Sequence, residues 1–271
     1  MRPWFESIGV IILALLGITL GLLTGKIKKR LWLLGYLLPL ILIVMIALTR
    51  NIYWLGFHQP FSWICAGRRE FVIFSFSIPM LFGTLIPRLS KKIDKIMIGI
   101  LVVAASLSFF VIPFISPIII RRTLENLETV FLDNGICIQT TDYTCGPAAT
   151  VNALSQLGIK ADEGELAILA YTTPYTGTSD DLLVDAIEKR YGPEGIRCEY
   201  RYFKSINELK GNCPVIAVTK FSFLIDHYIA VLEVTDDNVI IANPTTGKEK
   251  LTYEEFKYRW RCVGIVVKKE I

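Results

Sequence analysis

Four residues of the C-terminal half are of types and in an order that would support thiol chemistry. Cys145 opens the stretch Cys145-Gly146-Pro147, where a helix should begin. Helix-terminal amides and the helix dipole favour a thiolate there, and the thiolate rather than the thiol is the nucleophile. Gln139 lies six residues earlier, where its side-chain amide could join the Cys145 backbone N–H in holding an oxyanion. His227, one of two histidines in the chain, stands at the start of an apolar segment, and Asn243 follows sixteen residues later, before Pro244. If these segments are paired strands, Asn243 comes back beside His227. That is the arrangement of a nucleophile, a general base and a base-orienting amide. The competing reading is a buried small thiol and an ordinary strand histidine; helix start, strand ends and order together favour the chemical one.

The elements needed to hold these residues are legible. The pattern predicts helices over 147–157, stopped by Gly158, over 163–170, and from Thr178-Ser179-Asp180-Asp181 to 190, with acids in the first turn. It predicts strands over 196–203, 214–219, 227–234, 239–242 and 262–267, a turn at Asp236-Asp237-Asn238, and a helix over 252–260. Helices first and antiparallel strands later indicate an α+β domain.

The N-terminal half has different physics. The chain has 271 residues, a net charge of +4 and 52% hydrophobic residues. Residues 1–122 hold 14 Lys and Arg against three acids, a charge of +11; residues 123–271 hold 15 against 22, a charge of −7. A single soluble domain, a disordered chain and a nucleic-acid binder relying on general basicity are all poor fits. Four apolar runs without charge, at 7–24, 31–48, 71–86 and 96–120, read as an α-helical membrane bundle of about four helices, with the lipid bilayer as partner. A cleaved signal peptide is the alternative for the first run. Pro113 and Pro117 should kink the fourth. Trp4, Trp32, Trp54 and Trp63 fall near run ends, as interfacial aromatics do, and His58 reads as a loop residue. The denser basic loops, Lys26 to Arg30 and Arg88 to Lys95, place those loops in the cytoplasm. That leaves both termini outside, in a bacterial cell membrane. The expected division is a transmembrane region 1–122, a linker 123–132 and a catalytic domain 133–271.

The stretch from Gln139 to Ala149, with Gly177-Thr178-Ser179, His227-Tyr228 and Asn243-Pro244, resembles the bacteriocin-processing, double-glycine-leader cysteine peptidases and their wider relatives. The resemblance implies a papain-like fold over about 136–267. It also implies Cys145 as nucleophile, His227 as base, Asn243 as orienting residue and Gln139 as oxyanion donor. Two positions depart from the family pattern: Asn243 stands where Asp is usual, and Thr144 where many members carry Asp. The better-known members are fused ahead of ATP-driven exporters. Here the membrane region comes first and no G-x-x-x-x-G-K-[ST] loop follows, so the exporter role and double-glycine specificity do not carry over.

The expected function is a membrane-anchored cysteine peptidase acting on a peptide or protein substrate, with no cofactor, no metal and no nucleic acid. The alternatives are a non-catalytic module that binds a leader or envelope peptide, and a protein whose membrane half is the functional part. Cys137, Cys198, Cys213 and Cys262 permit three pairings outside the cytoplasm, or free buried thiols. Cys65 has no expected role.

Overall fold

Residues 3–28, 30–59, 61, 69–222 and 225–270 are described by the structure, a computed structural model. The expectations that involve Arg2, Lys29, Trp63 and Cys65, and the side chain of Trp4, lie outside the described residues. The chain divides into two units, Met1–Ile118 and Ile119–Ile271.

The apolar runs of the first unit are helical: α1 (Pro3–Gly25), α2 (Leu34–Asn51), α3 (Arg69–Leu85), α4 (Lys92–Ser106) and α5 (Ile112–Ile119). Two segments, Ser7–Gly25 and Arg30–Thr49, are long and apolar enough to cross a membrane. Among the described residues, two of the four expected spans thus form helices of that length. The third run lies on a helix of 17 residues. The fourth is interrupted by a π-helical turn, Leu107–Val111, just ahead of Pro113. A proline has no N–H to donate and its ring crowds the preceding turn, and a widened turn accommodates both. Helices α1 and α3 approach backbone to backbone: a Cβ on Gly21 would lie 2.4 Å from the Met80 carbonyl oxygen. Small residues at such a crossing are the means by which apolar helices pack without an aqueous driving force. His58 bonds within its own turn, its Nδ1 lying 3.2 Å from the Trp54 carbonyl oxygen.

In the second unit a helical part precedes a sheet, giving an α+β domain. It comprises α6 (Arg121–Glu125), a short antiparallel pair β1 (Val130–Phe131) and β2 (Cys137–Ile138), then α7 (Cys145–Gln156), α8 (Glu163–Leu169) and α9 (Asp180–Tyr191). Strands β3 (Ile196–Tyr202), β4 (Val215–Ser222), β5 (Ile225–Val234), β6 (Asn238–Asn243), β7 (Gly247–Thr252) and β8 (Trp260–Lys269) form one antiparallel sheet. Its order is β3-β8-β4-β5-β6-β7, and helix α10 (Tyr253–Arg259) precedes β8. Local chemistry explains the helix starts. The Asp162 carboxylate accepts the Glu165 N–H at 2.7 Å, and Thr252 with Glu255 closes a capping box on α10. One face of the sheet buries Ile229, Val231 and Ile241 against Phe203, Phe256 and Trp260. On the other, α7 packs against β5.

Strand β7 has no counterpart in the sequence reading. Its residues, Gly-Lys-Glu-Lys-Leu-Thr, are mostly polar because it is an edge strand, where lysines discourage pairing with another chain. Helix α7 begins at Cys145 rather than at 147, which puts the cysteine on the first turn itself.

Asn152 holds the strand that leads into Gln139. Its Oδ1 accepts the Cys137 N–H at 2.7 Å, and its Nδ2 donates to the Cys137 carbonyl at 2.9 Å. Asn152→Ala leaves both buried peptide groups unpaired, a cost of about 2–4 kcal/mol. The expected outcome is a loss of protection of the fully buried Cys137 thiol. Its alkylation in the purified chain should accelerate by an order of magnitude or more, roughly as local opening becomes easier; unchanged protection would refute this role.

Candidate active site

The four expected residues are brought to one end of the sheet by backbone and side-chain bonds. Strands β5 and β6 pair with Ala230 opposite Ala242, so Asn243, at the end of β6, falls diagonal to His227. The imidazole Nε2 lies 2.9 Å from the Asn243 Oδ1. The turn after Asn243 closes because Gly247 adopts a φ of +94°, which a side chain resists. Gln139 is tied to the same turn: its backbone N–H donates to the Pro244 carbonyl at 2.9 Å. Its side chain sits in the tight loop before α7, where Nε2 donates to the Thr141 carbonyl at 2.9 Å and Oε1 is buried with no hydrogen-bond partner. Thr144 shapes this loop through hydrogen bonds to both the backbone and the hydroxyl of Thr141; an Asp could accept from the Thr141 N–H and hydroxyl, but only a hydroxyl can also donate to the Thr141 carbonyl.

Cys145 meets β5 at the residue after His227. The backbone N–H groups of Tyr228, of Gly146 and of Cys145 itself act on its sulfur in favour of the thiolate. Among the described residues no hydrogen bond joins this sulfur to the imidazole. Gly146 permits the close approach, since a Cβ there would lie 3.1 Å from the Thr178 side chain and 3.3 Å from the Tyr228 ring. Tyr228 in turn donates its hydroxyl to Asp180 at 2.5 Å and to the Thr178 carbonyl at 3.3 Å. The 177–179 segment is thus the wall against which the first turn of α7 rests.

The sequence reading did not single out two other contributors. The Asn243 Nδ2 donates to Glu249 on β7 at 2.8 Å, and Thr245 donates both its N–H (3.1 Å) and its hydroxyl (2.8 Å) to the Asn243 Oδ1. Thr245 was legible as a neighbour of the asparagine; Glu249 was not, because nothing marked β7 as a strand.

The electrostatics differ from the simple expectation of a helix-stabilised thiolate. Burial pushes the Cys145 thiol up, and the three amide donors only oppose it. Burial pulls His227 down, opposed by its bond to Asn243 and by the Glu249 charge. The resting pair is therefore neutral thiol and neutral imidazole at neutral pH. Cys145 is still set apart from the other described thiols. Burial pushes Cys137 and Cys198 up to about 12 and Cys213 to about 11, with no backbone donor to oppose it. All five described cysteines are free, so the disulfide alternative is not realised among them. No group of three or more His, Cys, Asp and Glu among the described residues is placed to hold a metal ion.

A family model for the peptidase C39 family matches residues 133–271. An uncharacterized protein of Methanothermobacter marburgensis is 33% identical over 145 residues, covering 54% of this chain and 96% of the relative. Another, from Methanothermobacter thermautotrophicus, is 32% identical over 130 residues, covering 48% of this chain and 85% of the relative. Among solved structures, the peptidase domain of Streptococcus ComA, a bifunctional ABC transporter involved in quorum sensing, gives a TM-score of 0.43 at 21% identity, covering 49% of this chain and 96% of that one. A double glycine motif protease from an AMS/PCAT transporter, solved with its leader peptide, gives 0.43 at 16% identity, covering 53% and 93%.

The neutral resting pair has a measurable consequence. Because the folded-state thiol titrates above its ordinary value of 9.0, alkylation of Cys145 by iodoacetamide, followed by peptide mass mapping, should keep accelerating as pH rises past 9.0. A plateau reached below about pH 7 would instead show a preformed thiolate.

Proposed function

This chain belongs to the peptidase C39 family, and from that premise we propose that it is a membrane-anchored cysteine peptidase that cleaves a peptide or protein substrate. The observation that carries the reading is the His227–Asn243 hydrogen bond, with the nucleophile candidate set at a helix start against the peptide of the next residue. Cys145 is assigned as nucleophile, His227 as general base and then acid, Asn243 as the group that orients the imidazole, and Gln139 with the Cys145 N–H as oxyanion donors.

The steps follow from these positions. His227 takes the thiol proton as the sulfur attacks the scissile carbonyl, so the charge separation arises only during attack. The tetrahedral oxyanion is held by the Cys145 N–H and by the second Nε2 hydrogen of Gln139, the first being given to Thr141. The imidazolium then protonates the leaving amine, and water, deprotonated by the same imidazole, hydrolyses the thioester.

The catalytic domain is taken as 133–271, joined by 123–132 to a multi-pass region over 1–122. The two long apolar helices support membrane anchoring. The four-span arrangement and the extracytoplasmic placement of the catalytic domain rest on the apolar runs and on the basic loops. Proteinase added to intact cells should digest the C-terminal half; complete protection would place it in the cytoplasm.

Cys145→Ala should abolish cleavage of a peptide library while leaving the thermal melt unchanged, and His227→Ala should come close to it. Losing either member of a nucleophile–base pair removes most of the rate, roughly 10⁴-fold or more. Undiminished cleavage by Cys145→Ala would end the peptidase reading and favour a module that binds a leader peptide without cutting it.

A further inference from the structure

Asn243 can face His227 with either end of its amide, and only one end suits a general base. Glu249 decides which. Its Oε1 accepts from the Asn243 Nδ2 at 2.8 Å and also from the Thr246 hydroxyl, while Oε2 lies 3.8 Å from the Arg259 guanidinium. A carboxylate accepts hydrogen bonds and donates none, so the amide can meet it only with its nitrogen. Oδ1 then points to His227, where it also takes the two donors of Thr245. A flipped amide would set oxygen against carboxylate and NH2 against the Thr245 N–H, losing each of these bonds.

An oxygen acceptor 2.9 Å from Nε2 requires the hydrogen on Nε2. The lone pair of the neutral ring is then on Nδ1, the nitrogen with no hydrogen-bond partner among the described residues. We infer that Glu249 is a positioning residue of this site: through Asn243 it sets the tautomer of His227 and supplies the negative charge that an asparagine in this place lacks. The consequence for turnover rests on the peptidase reading above; the consequence for the tautomer does not.

The arrangement accounts for the departure from the family pattern at Asn243. A carboxylate bonded directly to the ring would fix the tautomer and carry the charge in one residue. Here the two tasks are divided between an amide on β6 and a carboxylate on β7. The other charged groups nearby leave this division intact: Arg259 faces Glu249 from α10, and Asp226, beside His227 on β5, is paired with Arg261 on β8 at 2.9 Å.

The test uses the full chain in detergent micelles, labelled with ¹⁵N-histidine, with His227→Gln to assign its resonances apart from those of His58. Imidazole ¹⁵N shifts distinguish hydrogen on Nε2 from hydrogen on Nδ1. The wild type should show the Nε2–H form. Glu249→Gln, which keeps the shape but can offer Asn243 either an oxygen or an NH2, should give a mixture of tautomers. Its kcat should fall roughly tenfold or more with little change in KM, short of the ~10⁴-fold cost of a wholly wrong tautomer. Asn243→Asp alone should also lose activity, because it sets two carboxylates against each other. Combining it with Glu249→Gln should restore the Nε2–H form and most of kcat, since the glutamine amide can donate to the new carboxylate. A merely structural Glu249 predicts that the two losses add. A pure Nε2–H spectrum with wild-type kcat in Glu249→Gln, or additive losses in the double variant, would overturn the inference. A wild-type chain that cleaves nothing would remove the peptidase reading, and the tautomer spectra would still decide Glu249.

Discussion

The site depends on one hydrogen bond, that between the ring Nε2 of His227 and the amide oxygen of Asn243. It crosses two adjacent strands, and it is possible only because the β5–β6 register sets their ends diagonally and the Gly247 turn sends the chain back. A ring nitrogen bound in this way leaves the other free for the thiol. The remaining parts of the second unit bring Cys145 and Gln139 to the same end of the sheet.

They do so through peptide groups rather than through long side chains. The Gln139 N–H is anchored on Pro244, Cys145 rests against the Tyr228 amide, and Asn152 clamps the strand that delivers Gln139. Backbone groups lose no rotamer entropy on forming such bonds. Each anchor falls within two residues of a candidate site residue, so small errors of register would separate the whole set.

Burial exacts a cost at the same place. It disfavours the charged forms of both thiol and imidazole, which makes the resting site neutral and leaves the amide donors and Glu249 as opposing influences. A thiol held neutral in this way is also less exposed to adventitious oxidation than a standing thiolate, since susceptibility follows thiolate character.

Much of this was legible before any coordinates. The order Gln139, Cys145, His227, Asn243 and the α+β class follow from local signals: Cys-Gly-Pro at a helix start, an apolar segment along β5, and Asn-Pro at a strand end. Hydrophobic periodicity also separated an apolar, basic half from an acidic one. It could not give the number of helices long enough to span a bilayer, because the π turn before Pro113 divides a continuous apolar run without changing its composition. Nor could it show β7, whose polar residues carry no strand period, and with β7 went Glu249. An edge strand is specified by its neighbour's unpaired N–H and C=O groups rather than by its own side chains. For the same reason the carboxylate behind Asn243 belongs to the tertiary structure: six residues apart along the chain, the two side chains meet only when β6 and β7 pair.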